Sequence, residues 1–232
     1  MYILKIEDLE IEIVKKKIKN AHIYIYPPDG RVRVTVPERI GNSQLLDMIT
    51  SRMSWIRENR LKYICAPKRQ EMRYMPGDMI PVWGRELVLE VCENQTTNSI
   101  VMDGDKMRLN VTLKVQECGQ RKKIIYEWYR RELKTEILQI SAEWEDIIGV
   151  RAREWRVKDM KTRWGTCNVR DERIWINLQL AKMDRECLEY VIVHELVHLL
   201  ERSHNHIFRA YMDKYMPDWR NRRKRLKMQY QG

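Results

Sequence analysis

The chain has 232 residues, enough for one domain with a sizeable core or for two small ones. Hydrophobic residues make up 44% of it, which excludes a disordered chain, and no apolar run approaches the roughly 20 residues that a membrane-spanning helix needs. The net charge of +11 raises the expectation of nucleic acid or acidic partners, although solvated basic faces on a soluble protein are the simpler explanation.

The first residues and the cysteines predict a cytoplasmic protein. Met1–Lys5 is followed by acidic residues and has no apolar core of a signal peptide. The five cysteines are odd in number, scattered, and form no C-x-x-C pair, which favours reduced thiols over a disulfide framework or a cysteine zinc site. Cys167 is more typical of a small packing residue than of a nucleophile.

The first 40 residues predict strands. Residues 21–26 and 31–36 alternate around Pro27-Pro28-Asp29-Gly30, which has the Pro-early, Gly-late chemistry of a turn, so a β-hairpin with one basic face is expected. Ser43 then caps a helix that runs to about Ile64, and a loop bounded by prolines follows from Cys65 to Pro76.

Residues 77–115 return to strands, with a hairpin around Asp103-Gly104-Asp105. A long helix is predicted from Gln120 to about Ile148, ended by Gly149. The sequence therefore predicts an α+β protein with a strand-rich subdomain at 1–118 and a helix-rich one at 119–232, or one continuous domain with that polarity. No internal repeat is recognisable in the sequence.

Downstream, Trp155–Lys158 and Arg173–Asn177 predict strands on either side of a turn-rich segment, Arg163–Asn168. Asp184 is the expected cap of the next helix, in which Val193, Leu196, Val197 and Leu200 would pack inward. A further helix is predicted from Ile207 to Tyr215, stopped by Pro217, and a basic tail follows at residues 219–227.

The most informative stretch is His194-Glu195-Leu196-Val197-His198. Positions i and i+4 lie on one face of a helix, so His194 and His198 can hold one metal ion between them. Glu195 lies beside that ion on the same turn, where it can act as general base toward a water. Four of the five histidines fall within thirteen positions, a clustering that a chance distribution of histidines does not explain.

A catalytic zinc takes three protein ligands and a water. His204, six residues after His198, is the favoured third ligand, and His206 is the alternative or a fourth ligand of a closed structural site. Glu201 is one turn too far along the helix to share in ligation. Three imidazoles suit Zn²⁺, which is therefore the predicted cofactor.

Several stretches in the C-terminal part of the sequence, taken together, resemble a known protein family. The order Arg163-Trp164-Gly165-Thr166-Cys167, Ile176-Asn177-Leu178, the H-E-x-x-H stretch, and Ser203-His204 resembles the YgjP-like metallopeptidases, which are similar to the WLM and SprT-like zinc proteases. Thr166 stands where that family usually has Ser, and Ser203 where it usually has Asn.

The resemblance implies a zincin-like fold, a sheet edge that holds an extended peptide, zinc at His194, His198 and His204, and catalysis by Glu195. The expected activity is peptide-bond hydrolysis, with Arg163 and Tyr211, besides the metal, as candidates to stabilise the oxyanion, and strand 173–177 as a candidate to dock the substrate backbone. The alternatives are a protein that uses its basic surface to bind nucleic acid or to direct a protease there, and a structural zinc protein without turnover.

Overall fold

The computed structural model describes residues 1–26, 29–64, 72–93, 95–112 and 117–231. The predicted turn residues Pro27 and Pro28 and most of the loop predicted after Ile64 lie outside these ranges. Contacts divide the chain into two compact units, Met1–Glu71 and Met72–Gly232. None of the helices within the described ranges is long and apolar enough to cross a membrane.

The first unit is a four-stranded sheet with two helices. Its strands are β1 Tyr2–Ile6, β2 Leu9–Lys16, β3 His22–Tyr26 and β4 Arg31–Pro37, in the order β1-β2-β4-β3, followed by the helices α1 Asn42–Thr50 and α2 Met53–Ile64. Alternate residues of β2 and β4 are buried with one face of the helices, as period-two and helical patterning require. The single helix expected over 43–64 is two helices, because α1 ends at the Ser51 cap, where hydroxyl residues Thr50 and Ser51 favour a turn over helix continuation.

The second unit begins with another four-stranded sheet. Its strands are β5 Met79–Val82, β6 Arg85–Cys92, β7 Ser99–Asp103 and β8 Lys106–Asn110, in the order β5-β6-β8-β7, followed by the helix α3 Cys118–Ile148. Gly149 adopts the left-handed conformation at the end of α3, as predicted. The boundary expected after residue 118 falls inside this unit, because Leu89 and Leu109 of the sheet share one core with Ile125 and Leu133 of α3.

The two four-stranded sheets are the same structure built twice. Each joins an antiparallel hairpin to a second antiparallel hairpin through a central parallel pair, β2 with β4 and β6 with β8. Each first hairpin turns through two residues, and the first of them, Glu7 or Trp83, has a positive φ. The sequence has no recognisable internal repeat, and the repetition is one of strand order and direction.

The repetition extends to ion pairs. Glu12 of β2 pairs with Arg33 at 2.7 Å and with Arg31 at 3.3 Å on neighbouring β4. Glu90, in the equivalent place on β6, pairs with Lys106 at 2.6 Å and Arg108 at 3.6 Å on β8. The repeat was invisible in sequence because the two copies share alternation and charge sign rather than residue identity.

The remainder of the second unit surrounds the histidine-rich helix. Its elements are β9 Glu154–Lys158, β10 Gly165–Asn168, β11 Arg173–Asn177, a 3₁₀ helix Leu178–Lys182, and the helices α4 Arg185–Leu200, α5 His206–Tyr215 and α6 Trp219–Gln231. The sheet order is β10-β11-β9, with β11 antiparallel to β10 and parallel to β9. The turn-rich segment predicted at 163–168 thus contains the edge strand β10, and the basic tail is the helix α6.

Helix α4 is the centre of this unit. Val193, Leu196 and Val197 are fully buried as predicted, whereas Leu200, at the last turn, is 39% exposed. The chain turns away at Glu201, so the end of α4 is open to solvent on that side. Because α4 is buried on nearly all sides, the surrounding elements hold it firmly, and few of its side chains can contact a ligand.

Candidate metal centre

Three histidines converge at the C-terminal half of α4. His194 and His198 lie one turn apart on the helix, and His204 returns to them from the link between α4 and α5. One ring nitrogen of each lies within 4.8 Å of the others, and Nε2 of His194 is 2.9 Å from Nε2 of His204. The ring of Phe208 lies against all three imidazoles, with centroid distances of 4.7 to 4.9 Å. Phe208 therefore forms an apolar floor that limits how far the rings can turn.

The ring of His198 is held by the backbone. Its Nδ1 lies 3.1 Å from the carbonyl oxygen of Glu201, which can only accept, so Nδ1 carries the proton and Nε2 presents its lone pair. The Glu201 carboxylate accepts a hydrogen bond from the backbone N–H of Ser203 at 2.9 Å. Glu201 thus shapes the turn that brings His204 back and orients His198, a common arrangement around ligating histidines.

The environment keeps His194 neutral. Burial is the main cause that lowers the pKa of His194 to about 3, helped by the neighbouring His198 and His204. Burial also lowers the pKa of His198. Neutral imidazoles are the form that binds metal ions.

Glu195 lies on the same turn but points to the strand β10. It is buried, and burial raises the pKa of its carboxyl group to about 8, an effect that the charge of Arg163 partly opposes. Its side chain packs against the backbone of Gly165: a methyl group on Gly165 would lie 2.6 Å from Oε1 and 2.8 Å from Cδ. The absence of a side chain at Gly165, in the R-W-G-T-C stretch, therefore leaves the space that the Glu195 carboxylate occupies.

Arg163 is positioned through the buried amide of Asn177. The Asn177 side chain donates to the carbonyl oxygens of Met160 and Arg163 at 2.9 and 2.7 Å, and accepts from the backbone N–H groups of Met160 and Gln179. All of the hydrogen-bonding capacity of this amide is thus used to fix the segment that leads into β10.

The other residues considered from sequence lie in different places. His206 is the first residue of α5 and is not part of the three-nitrogen cluster within the described ranges. Tyr211 stacks on Tyr215 at an interplanar angle of 13° and is not among the described residues that line the cavity in front of the histidines. Cys167 lines that cavity from β10, where burial and the charge of Glu195 raise the pKa of its thiol to about 12.

The cavity itself has a volume of about 1040 Å³. Its described lining includes the three histidines, Glu195, and residues of β10, α5 and α6. Sequence reasoning missed Tyr190, whose ring lies 5.8 Å from that of His194, and Trp219 and Arg223 of α6. Tyr190 lies four residues before His194, so the helical spacing could have revealed it.

The three histidines fit a divalent metal. A tetrahedral ion with bonds of about 2.0–2.1 Å to nitrogen separates its ligand atoms by roughly 3.4 Å, a value that falls within the spread observed here. The Nε2 atoms of His194 and His204 face each other at a distance that two lone pairs do not tolerate unless a proton or a cation lies between them. Nδ1 of His194 is buried and has no hydrogen-bond partner within the described residues.

Comparison with known proteins identifies the family of the chain. The model of the family described as "YgjP-like, metallopeptidase domain" matches residues 21–229. Among solved structures, the metallopeptidase zymogen abylysin of Pyrococcus abyssi is 19% identical, with a TM-score of 0.38 over 41% of this chain and 95% of that one. The metallopeptidase zymogen jannalysin of Methanocaldococcus jannaschii is 21% identical, with a TM-score of 0.37 over 40% and 89%.

No curated protein matches the sequence. The family model, however, covers most of the chain, including every element around the histidines. The resemblance found in the residues is thereby confirmed. The chain belongs to the YgjP-like metallopeptidase family and is a metallopeptidase.

Proposed function

We propose that the protein is a zinc-dependent peptidase in which His194, His198 and His204 hold the metal and Glu195 is the general base. The observation that carries this proposal is the meeting of three ring nitrogens within 4.8 Å at the wall of a cavity that also contains the Glu195 carboxylate. Three imidazole ligands are the donor set typical of a catalytic zinc.

When bound, zinc would polarise the scissile carbonyl and lower the pKa of a water molecule. The charge of a bound cation would favour the ionised form of Glu195, which burial alone disfavours. In that form Glu195 takes a proton from the attacking water, whose oxygen forms a bond to the carbonyl carbon. As the C–N bond breaks, Glu195 returns that proton to the departing nitrogen, so one peptide and one water give a carboxylic acid and an amine, which become a carboxylate and an ammonium when the acid proton passes to the amine. Arg163 lines the cavity and its charge acts on Glu195, so it is the protein group that we propose to stabilise the developing oxyanion.

The edge strand β10 is the surface on which we expect the substrate backbone to lie. β10 pairs with β11 on one side and with no other strand among the described residues, and Gly165, Thr166 and Cys167 line the cavity. An extended peptide can add to such an edge through backbone hydrogen bonds. Strand 173–177, the predicted docking strand, is β11, which is paired on both sides and has no free edge.

A structural zinc without turnover is disfavoured by the same geometry. Structural sites usually have four protein ligands. His206 is exposed at the start of α5, outside the cluster of three. A three-ligand site on a cavity wall leaves a position for water and substrate.

The test combines metal content with hydrolysis. We expect about one zinc per chain in the wild type and in His206→Ala, and none in His204→Ala. Glu195→Gln should retain its zinc and lose hydrolysis of a mixture of fluorogenic peptides that the wild type cleaves. Equal hydrolysis by Glu195→Gln and the wild type would overturn the role of Glu195, and loss of metal in His206→Ala would indicate a closed four-histidine site.

A further inference from the structure

The cavity in front of the histidines is lined by one kind of charge. Its described lining contains a single carboxylate, that of Glu195, which is buried. The same lining contains five arginines, which we call the arginine wall: Arg163, Arg202, Arg209, Arg220 and Arg223. All five are exposed, so their guanidinium groups can reach a ligand in the cavity.

Most of this charge is uncompensated. Arg220 pairs with Asp213. The other four, Arg163, Arg202, Arg209 and Arg223, form no ion pair with a carboxylate among the described residues. This is not the general condition of arginines in this chain, because many elsewhere pair with an acid, such as Arg173 with Glu154 at 2.6 Å.

Helix α6 shows the contrast on two of its faces. Arg222 and Arg225 turn toward α4 and pair with Glu189 and Glu186 there. Arg220 and Arg223, three residues apart on another face, line the cavity instead. The helix at the predicted basic tail thus uses two of its four arginines to bind α4 and places the other two at the cavity, of which only Arg220 also has a carboxylate partner among the described residues.

A cavity of this kind binds anions. Guanidinium groups bind carboxylates through paired, charge-assisted hydrogen bonds, and several of them around one cavity raise the local concentration of negatively charged ligands. A substrate with basic side chains would meet repulsion that the single buried carboxylate does not offset. The ligand that fits is therefore one that carries several negative charges close to the reacting bond.

We propose that this peptidase selects acidic peptides, in which Asp or Glu side chains next to the scissile bond contact the arginine wall. The inference rests on the proposed function, because it names the substrate class of that site. A peptide is favoured over a nucleic acid because the edge of β10, which lines the same cavity, offers both N–H donors and C=O acceptors, which the backbone of an extended peptide matches and a phosphate backbone, which only accepts, does not.

The test measures binding and cleavage separately. Three fluorescent peptides share one central dipeptide and carry Glu, Gln or Lys on both sides of it. Their dissociation constants for zinc-loaded Glu195→Gln are measured by anisotropy, which requires no turnover. We expect the Glu peptide to bind at least tenfold more tightly than the Gln peptide, the size of one hydrogen bond to a charged group, and the Lys peptide to bind most weakly.

Substitutions in the arginine wall test whether its guanidinium groups are the source of the selectivity. Adding Arg209→Gln and Arg223→Gln should reduce the ratio between Glu and Gln peptides to about threefold or less, with zinc content and melting temperature unchanged. The control is Arg131→Gln combined with Arg153→Gln, at exposed positions outside the cavity lining, which removes two charges elsewhere and should leave the ratio intact. A ratio that falls equally in both backgrounds would overturn the inference, because it would reflect net charge alone.

The remaining outcomes are also decisive. Equal binding of the Glu and Gln peptides would overturn the inference even if the wild type cleaves both, in which case the proposed function stands. Selective binding of the Glu peptide without cleavage of any peptide by the wild type would support the inference and count against turnover. A single-stranded oligothymidine that binds more tightly than the Glu peptide and displaces it would assign the wall to nucleic acid.

Discussion

Gly165 and Glu195 lie so close together that the strand residue has no room for a side chain. A single methyl group on Gly165 would approach Cγ of the carboxylic acid to 2.7 Å, a distance that real Cβ atoms do not adopt. The backbone of Gly165 does not have a positive φ, so its conformation does not require glycine. The constraint is the space that Glu195 occupies.

Gly165→Ala should therefore impair hydrolysis by moving Glu195. A displacement of about 1 Å at a catalytic group can cost on the order of 100-fold in rate, and we expect a loss of that size in kcat/KM with zinc content unchanged. The control is Gly119→Ala on α3, which adds the same methyl group in open space and should have wild-type activity. Activity of Gly165→Ala within twofold of the wild type would contradict the role assigned to this contact.

Removal of the metal should weaken the fold of the second unit. A ligand that binds only the folded state at a thousand times its dissociation constant stabilises that state by about 4 kcal/mol. For a unit of this size we expect the melting temperature to fall by roughly 10 °C after dialysis against a chelator. His204→Ala should melt near the temperature of the metal-free wild type and show no further change with the chelator. A chelator effect of equal size in His204→Ala would show that the metal lies elsewhere.

Asn177→Ala should destabilise the protein and release Arg163. The Asn177 amide is buried and satisfies backbone groups of Met160, Arg163 and Gln179, so its removal leaves several of them without partners. We expect a loss of about 1–3 kcal/mol in the free energy of unfolding, measured in urea. Asn110→Ala, which removes one half-buried hydrogen bond to Ser99, should cost less. The reverse order would contradict this account.

Gly84→Ala should be more destabilising than Gly77→Ala. Both glycines have a positive φ, so either alanine carries a backbone strain of about 1–2 kcal/mol. At Gly77 the added methyl group meets nothing, whereas at Gly84 it would lie 1.7 Å from Oδ1 of Asp184, the N-cap residue of α4. The difference between the two variants in urea unfolding isolates the steric term, and equal losses would show that Asp184 moves aside freely.

Acid should remove the stabilisation that Asp213 provides. Hydrogen bonds from Arg220 and Trp219 lower the pKa of Asp213 below its ordinary value of 3.8. A carboxyl group with a lowered folded-state pKa stabilises the protein above the unfolded pKa and loses that effect as the pH falls through the folded pKa. Asp213→Asn should thus lower the melting temperature at pH 7, and this effect should decline as the pH falls below 3.8 and the folded-state carboxyl becomes protonated. Glu143→Gln, at an exposed position without an ion pair among the described residues, is the control.

The convergence of the residues that we propose as metal ligands was partly predictable, because the spacing of two of them follows directly from helix geometry. His194 and His198 are one turn apart, and no other secondary structure brings them together with Glu195 beside them. The long helix α3 and its end at Gly149 were predictable for a similar reason, since both depend on local patterns. These features are determined by residues that lie close together in the sequence.

What the sequence did not predict depends on contacts between distant segments. The R-W-G-T-C stretch reads as a turn, and only its pairing with residues 173–176 makes it an edge strand next to Glu195. The helix α6 was missed because its many charges give a weak apolar stripe, and its contacts, the buried side chains Trp219 and Leu226 and ion pairs with α4, are to residues distant in the sequence. The cavity is built from four separate segments, so no single pattern could describe its arginine wall.

The sheet that occurs twice has a consequence for how the chain reaches its native state. Two copies of one strand arrangement in a single polypeptide offer each strand a wrong partner of the right geometry, and exchange between copies is a characteristic failure of chains with repeated modules. The pairs Glu12 with Arg33 and Glu90 with Arg108 do not prevent it, because they carry the same signs in both sheets. Discrimination must come from the cores, where β-branched Val32 and Val34 of the first copy stand against unbranched Met107 and γ-branched Leu109 of the second. We therefore expect the divergence of the buried residues to disfavour pairing between strands of different sheets as the chain folds.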